Sequence, residues 1–266
     1  MVCSMYDALA ELLRKVGARI IDCRREGNTC GKWEGAQFKA VADLVAEESL
    51  KEGLLKIADI DIVSEEDYRS QVIERPNEYW LIDPIDGTAS FAQGYSGFVC
   101  QVALIRDQLP QLAGVYAPAL DNLYMARRGK GATINGLPIQ VRKVNKKRLS
   151  LVDNYPEPRG IAYFLCRDLH CTEYLESGSI GLKICLVAQG QADIFVKDVP
   201  LRDWDVAAPQ LVLQEAGGVL VQFNGLPFDY RGGYERKGLI AVSSEEMLEK
   251  IINIVVNYDH DQGWRK

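Results

Sequence analysis

From Tyr79 to Thr88 the chain reads Tyr-Trp-Leu-Ile-Asp-Pro-Ile-Asp-Gly-Thr, an apolar strand that runs straight into two carboxylates three residues apart. Pro84 and Gly87 are expected to enforce a turn that holds Asp83 and Asp86 at the strand's end. Strand ends in layered α/β proteins are where ligands gather. Two carboxylates there repel one another unless a cation lies between them, and hard oxygen donors without sulfur or imidazole suit Mg²⁺ or Mn²⁺. Gly87 and Thr88 add backbone N–H groups and a hydroxyl at the start of a helix, where a phosphate is favoured. Taken alone, the string also fits a plain Asp-Pro turn before a capped helix.

The flanking sequence supplies the elements that such a strand needs. Leu9, Leu12, Leu13, Val16 and Ile20 recur at three-to-four-residue spacing and predict an amphipathic helix with Arg14, Lys15 and Arg19 outside. A second helix is expected over 43–56, with Asp43 capping its start and Leu44, Leu50, Leu54 and Leu55 available for its buried face. Strands are expected over 79–82, 99–105, 112–116 and 137–141, with Asn135-Gly136 as a tight turn. The stretch 145–160, holding Lys146-Lys147-Arg148 and two prolines, reads either as the passage between two halves, 1–148 and 149–266, or as a surface loop. Beyond it, helices over 180–188, 204–216 and 245–256 alternate with strands over 192–196, 218–222 and 239–242. That alternation points to sheets covered by helices, with the two halves packed as one unit.

Composition then removes several chemistries. The 266 residues are 47% hydrophobic, enough for a large buried core. With 31 Lys+Arg against 37 Asp+Glu the formal charge is −6, so no nucleic-acid polymer is expected as a partner. No signal-peptide pattern or long apolar window is present, and no transmembrane segment is expected. Seven cysteines without a repeating spacing read as free thiols of a cytoplasmic protein. The two histidines, His170 and His260, cannot build a His-rich zinc centre, and a Ser-His-Asp triad would depend on one of them. Gly129-Lys130-Gly131 is no P-loop, because no Ser or Thr follows the lysine; a turn is the better reading.

Two further segments keep company with Asp83 and Asp86. Ile62-Val63-Ser64-Glu65-Glu66-Asp67 places three acids after a short apolar run, and Trp204-Asp205-Val206-Ala207-Ala208 puts an acid at a helix N-terminus. In this order the strings SEED, WLIDPIDGT and WDVAAPQLVLQEAGG resemble the inositol monophosphatase superfamily of Mg²⁺-dependent, lithium-sensitive phosphomonoesterases. The resemblance takes in Gly129-Lys130-Gly131-Ala132 with Asn135-Gly136, and Gly178-Ser179 with Cys185-Leu186-Val187-Ala188, and so covers nearly the whole chain.

The resemblance implies a layered αβαβα sandwich, α/β (α+β) in class, of the inositol monophosphatase and sugar phosphatase type. It implies a hydrolase working through two or three Mg²⁺ ions, with Mn²⁺ as a substitute and Li⁺ as an inhibitor. Glu65, Asp83, Asp86, Asp205 and the main-chain oxygen of Ile85 then look like metal ligands. Thr88, partnered by Asp43, looks like the pair that orients the attacking water, although Asp43 also reads as a helix cap and the loop before it looks shortened. Gly87, Thr88, Ser179 and Asp205 are the implied substrate contacts. The substrate is a small phosphate ester. Val63-Ser64-Glu65-Glu66-Asp67, Gly114-Val115-Tyr116-Ala117-Pro118 and Lys183 look more like the 3′(2′),5′-bisphosphate nucleotidase branch, acting on 3′-phosphoadenosine 5′-phosphate, than like inositol 1-monophosphatases or fructose 1,6-bisphosphatases. Lys183 either faces a second phosphate or is an ordinary solvated helix lysine. Lys197 stands near the position where inositol-specific relatives place a sugar-binding Glu. A non-catalytic regulatory member, possible homodimerisation, and a thiol-based zinc or redox site at Cys166, His170 and Cys171 stay open at this level.

Overall fold

The computed structural model describes residues 4–27, 31–34, 37–72 and 74–262; Cys3 and Cys30, counted among the thiols, lie outside them. The chain opens with helix α1 (Met5–Arg25), a hairpin of β1 (Gly31–Glu34) and β2 (Gln37–Ala40), and helix α2 (Val41–Ile57). Then follow β3 (Asp61–Ser64), β4 (Glu78–Asp86), the short helix α3 (Thr88–Ala92), β5 (Val99–Arg106), β6 (Leu109–Ala117), β7 (Asn122–Arg127), β8 (Ala132–Ile134) and β9 (Leu137–Ile139). Strands β3 to β9 form one seven-stranded sheet in chain order, parallel between β3 and β4 and antiparallel from there on. The turn from β8 to β9 is Asn135-Gly136 with φ of 49° and 81°, the two left-handed residues of a type I′ hairpin.

The second half runs β10 (Ser150–Asp153), α4 (Gly160–Leu169), β11 (Glu173–Glu176), α5 (Ile180–Ala188), β12 (Ile194–Lys197), β13 (Leu201–Arg202), α6 (Asp203–Glu215), β14 (Val219–Gln222), β15 (Glu235–Arg236), β16 (Leu239–Val242) and α7 (Glu245–Gln262). Its five-stranded sheet has the order β11-β10-β12-β16-β14, and β13 pairs with β15 beside it.

The period-2 alternation of β4 explains the layering. Trp80 and Ile82 pack with Leu9, Leu13, Val16 and Leu50 of α1 and α2, whereas Tyr79 and Leu81 face Leu182 of α5 and Val206 and Leu211 of α6. The far side of α5 and α6 meets Phe195 and Ala241 of the second sheet. Ile194 and Val242 of that sheet turn the other way, onto Ile161 and Leu165 of α4 and Ile251 of α7. Five layers follow, αβαβα, as the resemblance implies.

Several local expectations are corrected. Helix α2 begins two residues before Asp43, which is therefore not its cap but sits buried in the first turn. Leu44 and Leu55 are 59% and 48% exposed, because the row that faces the sheet is Ala42, Ala46, Leu50 and Leu54. No turn separates Asp83 from Asp86: β4 continues to Asp86 across a bulge, with Asp83 opposite Gln101 and Asp86 opposite Val99. One extra residue on β4 re-aims the two carboxylates, and Pro84, which has no N–H to give a ladder, sits inside the bulge. The strand expected over 137–141 ends at Ile139. Within the stretch 145–160, Ser150–Asp153 form β10 in the middle of the second sheet's parallel portion, so that part is neither passage nor surface loop. Among the described residues no helix is long and apolar enough to cross a membrane, and Cys23, Cys100, Cys166, Cys171 and Cys185 are free thiols.

Candidate active site

Because β3 and β4 are parallel, their C-terminal ends emerge side by side. Ser64 pairs with Ile82, so Glu65 follows directly beside Asp83, its N–H donating to the Ile82 carbonyl at 3.3 Å. From the other half, α6 brings Asp205 to the same place. Carboxylate oxygens of Glu65, Asp83 and Asp205 lie within 4.8 Å of one another. Asp83 is 1% exposed and its Oδ1 is buried without a hydrogen-bond partner, while Oδ2 accepts from Gln101 Nε2 at 3.3 Å.

Asp86 completes the acids from across the bulge. It accepts from the N–H of Gly181 at 2.6 Å and of Ile180 at 3.4 Å, so it occupies the N-terminus of α5. The dipole of α5 is therefore spent on a side chain of the protein itself. Asp205 accepts from Arg202 N at 2.7 Å, a cap on its own helix that does not prevent it from reaching the cluster. Burial, with the charge of Asp86 added, pushes the Asp205 carboxyl up to about 8. Burial followed by mutual repulsion raises Glu65 and Asp83 well above the ordinary carboxylate range, and burial raises Asp86 despite its two N–H donors. A buried carboxylate oxygen with no partner, among like charges, fits a hard divalent cation, and the donor set is oxygen throughout.

Beside the acids, Gly87 turns the chain with a φ of 90°, where a Cβ would lie 3.0 Å from the Gly97 carbonyl and 3.1 Å from Ser179. Thr88 follows at the first position of α3. Its hydroxyl lies 2.9 Å from the Ile85 carbonyl and 3.4 Å from Asp43 Oδ1. Ser179 caps α5: its Oγ accepts from Leu182 N at 2.9 Å and its own N–H donates to Gly97 O at 2.8 Å. The loop before it presses on residue 97 so closely that a Cβ at Gly178 would stand 2.2 Å from the Gly97 carbonyl.

Lys183 is fully buried, which removes the solvated alternative. Its ammonium donates to Asn154 Oδ1 and, at 2.9 Å, to the Gly178 carbonyl, and lies 5.0 Å from the Phe195 ring centroid. Burial lowers it to about 7. In this arrangement Lys183 braces the loop that presents Ser179. Sequence reasoning missed Gln101 and Asn154, yet a lone glutamine inside the apolar run Val99-Cys100-Gln101-Val102-Ala103 was a readable signal. Gly129, Lys130 and Gly131 form the expected turn, their three N–H groups held by the Glu215 carboxylate. Among the described residues the group of three metal-ligating side chains is Glu65, Asp83 and Asp205, and Cys166 and Cys171 gather no third ligand.

The model of the inositol monophosphatase family matches residues 3–260. The 3′(2′),5′-bisphosphate nucleotidase CysQ of Shigella flexneri is 32% identical over 235 residues, 85% of this chain and 94% of its own. Inositol monophosphatase 1 of Bos taurus is 32% identical over 186 residues, 66% of this chain and 65% of its own. Among solved structures, an IMPase of Thermotoga maritima superposes with a TM-score of 0.80 at 24% identity, covering 96% of this chain and 97% of that one. That likeness is one of fold.

Proposed function

This chain belongs to the inositol monophosphatase family and is a phosphoric monoester hydrolase, and from that premise we propose that it removes a phosphate from a small 3′(2′),5′-bisphosphate nucleotide. The substrate reading is supported by similarity to the CysQ nucleotidase over 94% of that relative's length, against 65% for the bovine inositol monophosphatase. The catalytic reading is carried by Asp83 Oδ1, buried and unpartnered inside the acidic cluster.

Glu65, Asp83, Asp86, Asp205 and the Ile85 carbonyl are the residues that would hold Mg²⁺. Bound there, divalent cations make water a stronger nucleophile near neutral pH and offset charge on the phosphate and leaving oxygens. The rest falls to the chain. Thr88, when its proton points to Asp43, accepts a hydrogen bond from the attacking water and so fixes its approach. Asp43 is the base at the end of that short relay. The Gly87 and Thr88 N–H groups remain to hold phosphate oxygens, with Ser179 offering a hydroxyl that also bonds the Asp86 carboxylate, since the Ser179 N–H is already given to Gly97.

Phosphate release from 3′-phosphoadenosine 5′-phosphate, inositol 1-phosphate and fructose 1,6-bisphosphate should show the highest kcat/KM for the first, loss of all activity in EDTA and inhibition by Li⁺. A higher kcat/KM for inositol 1-phosphate would replace the nucleotidase reading by the inositol one. Thr88→Ala should lower kcat about 100-fold while Mg²⁺ half-saturation stays within about twofold, the signature of lost water orientation. A shift mainly in Mg²⁺ half-saturation would move Thr88 from water to the cation's surroundings.

A further inference from the structure

Glu65 and Asp205 reach the cluster from different layers, one at the exit of β3 and the other on α6, and no β-ladder or shared helix joins them. Their like charges favour separation. We propose that Arg75 is a positioning residue that fixes the Glu65–Asp205 spacing by clasping the start of α6 to the loop that leaves Glu65; the inference rests on the reading that these two acids hold divalent cations.

The clasp can be followed bond by bond. Gln71 Nε2 donates to the carbonyls of Ser64 and Glu65 at 2.9 and 3.1 Å, which fastens residue 71 to the Glu65 turn. Four residues on, the Arg75 side chain is 5% exposed and its Nη2 meets the fully buried Asp203 carboxylate at 2.7 Å. Asp203 is the first residue of α6, in the same turn as Asp205. The guanidinium has further partners: the Gly232 carbonyl at 3.1 and 3.0 Å, the Gly233 carbonyl at 2.8 Å and the Tyr79 hydroxyl at 3.2 Å. It also lies 3.9 Å from the centroid of the Tyr234 ring. Tyr234 closes the circuit, because its carbonyl accepts from Asp203 N at 3.0 Å and its hydroxyl donates to Val72 O at 3.0 Å. Arg236 grips the other side of Asp203 at 3.1 Å, and its remaining partners among the described residues are carbonyls of the 229–235 segment, not of the loop that leaves Glu65.

A planar fork with this many fixed partners is not replaceable by lysine, which keeps the charge and loses the geometry. Loss of the outer partners that hold metal ligands in place typically costs about 10- to 100-fold in metal affinity or activity. Arg75→Lys should therefore weaken Mn²⁺ binding, read from the EPR signal of the free ion, about tenfold, with a matching rise in half-saturating Mg²⁺ and kcat at saturating Mg²⁺ within about twofold. Arg236→Lys, which leaves the link to the Glu65 loop intact, should change Mn²⁺ affinity less than about threefold. Unchanged Mn²⁺ affinity in folded Arg75→Lys, or an equal loss in Arg236→Lys, would overturn the proposal. If Arg75→Lys does not fold, Tyr234→Phe deletes one bond of the same circuit, and wild-type Mn²⁺ affinity there overturns it equally. Failure of the underlying reading is visible separately, since the wild-type protein would then bind no Mn²⁺ at all.

Discussion

Asp83→Asn should abolish turnover, by about 1,000-fold or more, and at the same time raise the melting temperature of the metal-free protein. The two halves of this result have one cause. Asp83 is the most enclosed of the acids, and its Oδ1 has no donor to satisfy it. Its charge is held against Glu65, Asp86 and Asp205, and burial with those neighbours raises its carboxyl well above the ordinary range. Removing that charge relieves the metal-free fold, because an uncompensated buried charge costs several kcal/mol while a neutral amide of the same shape costs far less. The same change deletes the carboxylate at the cluster's centre, and losses of a metal's charge partner run to several kcal/mol of transition-state stabilisation. Measuring kcat in Mg²⁺ and the melting temperature in EDTA on the same variant tests both. A near-normal rate would remove Asp83 from the metal set; a lower melting temperature in EDTA would mean that its role in the fold outweighs the repulsion.

What could be read from the sequence depended on how local each signal was. The acids of β4 and the Trp204-Asp205 helix start were legible because each is carried by a contiguous string with its own strand or helix signal. The five layers came only through the resemblance; alternation of elements gave sheets covered by helices and no more. The bulge at Asp83–Asp86 was misread as a turn because Asp-Pro and Gly usually mark turns, and nothing in the string shows that β5 continues opposite. Four-residue β10, which follows closely on the basic run Lys146-Lys147-Arg148, and α4, which ends on His170 with a φ of 55° instead of on glycine, carry no local start or stop signal of the usual kind. Arg75, Asp203 and Arg236 come together only in three dimensions. Their spacing in the chain, 128 and 33 residues, follows from the meeting of two layers that no periodicity encodes.

The metal-free protein should lose stability as the pH rises from about 4 to about 8, and added Mg²⁺ should restore more stability at pH 8 than at pH 5. Asp205 has a folded-state value of about 8 against 3.8 for the ordinary side chain, and Glu65, Asp83 and Asp86 move in the same direction. A carboxyl raised on folding binds its proton more tightly in the native state. Its contribution is fully present below the unfolded value and disappears as the pH passes the folded one. The acids are partly open to the solvent at Glu65 and Asp205, so the total change is on the order of a few kcal/mol and not the sum of four separate shifts. Mg²⁺ competes with those protons, and at about 100 times its Kd it adds about 2.7 kcal/mol to the native state. Protonation at pH 5 raises that Kd and shrinks the gain. Thermal melts in EDTA and in Mg²⁺ across this pH range check both slopes together. A metal-free melting temperature that climbs toward pH 8, or a Mg²⁺ effect that is flat with pH, would show that the four carboxylates do not share one cation-seeking site.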